Sequence, residues 1–83
     1  MRVARTLIGL KRVLKEEAPK NEIWNVYIET EKKRKHTYVH IYIRPGYYPR
    51  GSSYAYIYKT RAHEIAEDIY NAYKDKNAIF IVW

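Results

Sequence analysis

Residues 22–44 read EIWNVYIETEKKRKHTYVHIYIR, and the period of this stretch decides the fold. Trp24, Val26, Ile28 and Thr30 fall at every second position, with Ile23, Asn25, Tyr27, Glu29 and Glu31 between them. A period of two belongs to a strand, whose side chains point alternately to opposite faces. Four cations follow, Lys32, Lys33, Arg34 and Lys35, and then alternation resumes. Val39, Ile41 and Ile43 face one way, while His36, Tyr38, His40, Tyr42 and Arg44 face the other. Two alternating runs joined by a short polar stretch predict a hairpin. Adjacent cations repel one another, so the KKRK run belongs in its solvated tip. One hairpin face is therefore a core face and the other is aromatic and basic.

Downstream, Pro45-Gly46 is a strong turn signal, and RPGYYPRGSS reads as a loop. A third strand, Ser53–Tyr58, sets Ala55 and Ile57 against Tyr54, Tyr56 and Tyr58. Thr60 is placed to cap a helix whose apolar stripe is Ala62, Ile65, Ala66, Ile69 and Tyr73. Asn77 suits the stop of that helix, because asparagine tolerates a left-handed backbone. The closing AIFIVW is apolar on both faces and reads as a buried strand, with Ile79, Ile81 and Trp83 opposed to Phe80 and Val82. An exposed face there would be an aggregation risk, so the second helix is expected to cover one side. A partner subunit or the first helix covers the other.

Upstream, Val3, Leu7, Leu10 and Leu14 line one helical face over residues 2–17, widened by Ala4, Ile8 and Val13. Pro19 ends that helix at Ala18. The predicted order is α-β-β-β-α-β in one small α+β domain covering residues 1–83. Its first three strands form an antiparallel meander with two helices on one face. The last strand joins that sheet beside one of the outer strands.

Composition narrows the function. Eighty-three residues make one domain of marginal core. The absence of cysteine excludes disulfide staples, thiolate metal sites and a cysteine nucleophile. No cofactor or metal site is expected. No apolar run approaches the roughly 20 residues of a membrane span, and the N-terminus lacks a signal-peptide block. A cytoplasmic protein without membrane contact is the expectation. Glutamine is absent while Lys, Ile and Tyr abound, a composition that points to a thermophilic archaeon or its virus.

The formal charge of +7 is localised. Residues 32–63 hold eight Lys or Arg, all three His, seven of the ten Tyr and no carboxylate, which leaves the remainder at −1. Cations interleaved with aromatic rings suit a polyanion carrying stackable bases. The expected partner is nucleic acid, RNA or single-stranded DNA. Tyr27, Tyr38, His40, Tyr42, Tyr54, Tyr56 and Tyr58 would share one sheet face as a stacking platform. Lys32, Lys33, Arg34, Lys35, Arg44, Tyr47, Tyr48 and Arg50 would flank it from the tip and the loop, and Lys59 and Arg61 from the start of the second helix.

The first five elements, over residues 2–75, resemble in order the double-stranded-RNA-binding domain. That family has a basic start to its last helix, and Lys59, Arg61 and His63 stand at comparable positions. The Gly-Pro-x-His signature before its second strand is missing here, with only His36 near that place, and the closing strand is extra. The variant of the nucleic-acid reading is duplex binding through the KKRK tip and the helix ends.

Two readings from other classes compete. A tyrosine-rich face also serves protein association, because each ring is amphipathic and rigid, so a homodimer or a viral, host-interfering factor is the alternative. A metal-free ribonuclease is the third, with His36, His40 and His63 as acid and base. His36 and His40 stand about 13 Å apart along one strand face, too far for shared work. No phosphate-loop or dinucleotide motif is present.

Overall fold

The chain enters the fold as a strand. The computed structural model describes residues 1–18, 24–45, 52–57 and 61–83, with the backbone alone at 24, 25, 44, 45 and 52–57. Arg2–Ala4 form β1, and the helix expected over residues 2–17 begins only at Leu7, as α1 (Leu7–Glu17). Thr6 sets this boundary. Its backbone is extended and its Oγ1 accepts the Gly9 N–H at 3.1 Å, which satisfies one of the orphan amides of the first turn. A side chain at Gly9 would place its Cβ 3.1 Å from that same oxygen, so glycine leaves the cap its room. Leu10, Val13 and Leu14 are buried as the stripe predicts, but Ile8 is 73% exposed and Val3 belongs to the sheet. α1 stops at Ala18, whose extended backbone precedes Pro19.

β2 (Trp24–Lys33) and β3 (His36–Pro45) form the expected hairpin, in a register that runs from Trp24 opposite Pro45 to Lys33 opposite His36. β4 (Ser52–Ile57), α2 (Ala62–Tyr73), a 3-10 turn (Lys74–Lys76) and β5 (Ala78–Val82) complete the α+β domain. Arg61, not Thr60, occupies the cap position of α2; Thr60 lies outside the described residues. Asn77 takes the left-handed conformation, φ 54° and ψ 54°, and ends the turn as its residue type allows.

The sheet order is β1-β5-β3-β2-β4, and this corrects the meander. β4 lies antiparallel to β2 with an irregular register, instead of pairing with β3. The six residues between β3 and β4 can reach up to about 20 Å. Crossing past β2 requires only about 10 Å, so the loop permits either arrangement. β5 takes the vacated edge of β3 in parallel, and β1 closes the sheet antiparallel to β5. β5 is thus an interior strand between β1 and β3, and it pairs with the strand expected at the centre of the meander. Phe80 and Val82 on its covered face are fully buried, and Ile79 on its other face is 6% exposed.

Both helices lie on one face, as expected, so α1 does not cover the second side of β5. Leu10, Leu14, Ile65 and Ile69 join Val26, Val39, Ile41, Phe80 and Val82 in a single core. Tyr70 packs against Phe80 with ring centroids 5.9 Å apart. Lys11 and Glu67 tie the helices together at 2.7 Å, a hydrogen bond that holds the Glu67 carboxyl below its ordinary value. Arg2 reaches Glu16 at 2.6 Å, which raises its guanidinium further and anchors β1 to the end of α1. Among the described residues, no helix is long and apolar enough to cross a membrane.

Candidate functional site

Among the described residues no helix lies over the opposite face of the sheet, and the strand registers set its side chains in rows. Near the tip, Lys33 stands opposite His36. The next row is Glu31, Tyr38 and Ile79, and the next is Glu29, His40, Ile81 and Val3. Tyr27 and Tyr42 form the following pair, their ring centroids 5.8 Å apart and tilted by 49°. Tyr38, His40 and Tyr42 are half-buried while their neighbours Val39, Ile41 and Ile43 are buried, so alternation holds through β3.

Trp83 completes this surface. Its backbone N–H donates to the Ile41 carbonyl at 2.9 Å, which continues the parallel pairing one residue past β5. Its indole lies parallel to Tyr42, 9° between planes and 6.2 Å between centroids, and at 23° and 6.1 Å to His40. These are offset-stacked geometries. The indole Nε1–H donates to His40 Nδ1 at 3.1 Å. A neutral imidazole accepting at Nδ1 carries its proton on Nε2, which lies 3.5 Å from Glu31 Oε1. His40 is thereby held between an indole and a carboxylate, and Trp83 remains 45% exposed. Period-two reading already put Trp83 on one face with Ile79 and Ile81. It missed the contact with His40 and Tyr42 because β5 was expected beside an outer strand.

The hairpin tip is the basic end of this surface. Lys32, Lys33, Arg34 and Lys35 are all exposed, and the turn residues are Arg34 and Lys35. Arg34 has φ 54°, the left-handed region that glycine or asparagine usually fills in a two-residue hairpin. An arginine there costs backbone free energy and adds a cation at the crest. Lys33 lies 3.7 Å from Glu31 and 6.0 Å from the centre of the Tyr38 ring. Among the described residues, Lys32, Arg34 and Lys35 make no ion pair.

Alternation splits the KKRK run between two grooves. On the open face, Lys33, His36 and Tyr38 with Arg34 and Lys35 line one of about 770 Å³. On the helix side, Lys32, Arg34 and Lys35 line another of about 690 Å³, and here Lys76 and Asn77 from beyond α2 join them. Asn77 Nδ2 donates to the Lys35 carbonyl at 2.9 Å, and its own carbonyl accepts the Thr37 N–H at 3.3 Å. The end of α2 is thus fastened to the base of the tip. Sequence reading missed Lys76, which lies outside the acid-free stretch and beside Asp75.

The remaining candidates divide. Arg61 stands at the start of α2, where its Nε lies 3.3 Å from Glu64. A helix of 12 residues is about 18 Å long, which separates Arg61 from the end of α2 that meets the tip. The side chains of Arg44, Tyr54 and Tyr56, and all of Tyr47, Tyr48, Arg50, Tyr58 and Lys59, lie outside the described residues. Among the described residues, no three His, Asp or Glu side chains gather as metal ligands would. The chain matches no known family model, no curated protein and no solved structure.

Proposed function

We propose that this domain binds single-stranded nucleic acid, RNA or DNA, along its open sheet face. The observation that supports the reading is the presence of two features along one face of the sheet, the cations at its tip and the rings behind them. A crest of four cations, three of them without an ion pair among the described residues, borders a face on which Tyr38, Tyr42 and Trp83 are partly exposed. Backbone phosphates would neutralise the crest, and unpaired bases would lie against the rings. Glu29 and Glu31 occupy the β2 side of the same face, so the path of a strand follows β3 and β5, away from them. No chemistry is required of the histidines; His40 is engaged by Trp83 and Glu31.

The test is fluorescence anisotropy with matched single- and double-stranded DNA and RNA across a salt series. Replacing Lys32, Lys33, Arg34 and Lys35 by alanine should weaken binding alike for all sequences. It should also flatten the slope of log affinity against log salt by about 0.7 for each phosphate no longer neutralised. An unchanged slope would return the cations to the role of a solvated tip. Preference for duplex would favour recognition through the tip alone.

A second reading, self-association, is favoured by the other end of the face. Val3 is 51% and Trp83 45% exposed beside Ile81, an apolar surface along the β1 side of the face. A second copy seated there would bury them. The mass of the free protein at high micromolar concentration decides this, and a strict monomer removes it.

A further inference from the structure

We propose that the helix-side groove is a second phosphate-binding site, so that a bound strand turns around the hairpin tip and is held on both sides of the sheet. This rests on the nucleic-acid reading above and adds to it a site away from the stacking face. Lys32 pairs with Thr37 in the ladder and shares its face, which is the face the helices cover, whereas Lys33 shares the open face. The KKRK run therefore cannot serve one side only. Arg34 and Lys35, at the crest, border both grooves.

Lys76 makes the helix-side groove more than the back of a charged tip. It arrives from a separate part of the chain, through the 3-10 turn and the left-handed Asn77, and the two Asn77 hydrogen bonds fix that approach. Its ammonium lies 5.8 Å from the centre of the Tyr73 ring and, among the described residues, makes no ion pair. Four cations thus border a concavity whose single carboxylate among the described residues is Asp75, and the hydroxyls of Thr30, Thr37 and Tyr73 supply neutral donors. Closely set like charges that find no partner within the described protein call for one from outside. Arginine with lysines and hydroxyls matches phosphate oxygens. About 690 Å³ accommodates a nucleotide's sugar and phosphate and not merely an ion.

The experiment uses Lys76, which borders this groove and not the open-face one. Lys76→Ala and Lys76→Arg are compared with wild type by anisotropy of a labelled oligothymidylate over a salt series, with thermal melting to check the fold. Lys76→Ala should lower the salt slope by about 0.7, a loss of about fivefold in affinity near 0.1 M salt, and Lys76→Arg should restore it. If Lys76→Ala leaves the slope unchanged while Lys33→Ala lowers it, the strand keeps to the open face and the second site is overturned. If wild type binds no oligonucleotide, the function proposed above falls by itself. Pyrophosphate titrated against the amide resonances of Thr37, Lys76 and Asn77 then decides the groove. Shifts there support an anion site and their absence overturns it. Displacement of pyrophosphate by a glutamate-rich peptide but by no oligonucleotide would overturn the assignment to nucleic acid.

Discussion

The two faces of this sheet come from the same strands, their residues taken alternately, and they differ in what holds them. Val26, Val39, Ile41, Phe80 and Val82 on the covered face are at most 1% exposed and pack on two helices. Full burial of such side chains stabilises by about 1.5–3 kcal/mol each, and the packing tolerates little change of volume. On the open face the interactions are directional, among them Trp83 on Tyr42, indole to His40 and His40 to Glu31. Half-exposed groups of that kind contribute little to stability, and their orientation is available to a ligand. One face carries the fold and the other carries the candidate site, a division that a strand's alternation makes natural.

The covered side is where a single substitution should do most damage. Phe80→Ala should destabilise by about 3–5 kcal/mol, measured by urea unfolding, because a fully buried ring leaves a cavity beside Tyr70. A much smaller effect would mean that the helices do not pack closely on β5. Tyr42→Ala should divide differently. It should cost about 1–3 kcal/mol in single-strand binding by anisotropy while leaving the fold and the oligomer mass intact. If the mass changes and the binding does not, the face is an association surface.

Smaller effects sharpen the contrast at its edges. Arg34→Gly relieves a left-handed arginine, so stability should rise by up to ~1 kcal/mol while the affinity for nucleic acid falls with the removal of one cation. Opposite signs in melting and in anisotropy are the expected signature; a fall in both would mean that the arginine supports the turn. The smallest effect belongs to Glu67, which pairs with Lys11 between the two helices. Its carboxyl is lowered by Lys11, so the pair stabilises the fold above the ordinary carboxylate range, and the contribution disappears as pH falls through the depressed value. Glu67→Gln should therefore separate from wild type at neutral pH and converge with it in acid, by a small amount because both groups are half-exposed. A difference that persists at low pH would point to packing instead of charge.

The hairpin, its two faces, the basic tip, the stripe of α2 and the stop at Asn77 were all legible in one pass along the chain. They depend on neighbours within a few residues, through alternation, helical periodicity and the left-handed tolerance of asparagine. The sheet order was not legible. A meander and a crossing to β2 are equally open to the β3–β4 loop, and only the competition of β5 for the edge of β3 chooses between them. β1 was hidden for the same reason, because its partner β5 lies at the far end of the chain and Val3 also fitted a helical stripe. Trp83 against His40, and Lys76 beside the KKRK tip, follow from those long-range pairings. Local periodicity fixes which way a side chain points; which other side chain it meets is decided by where distant strands find a free edge.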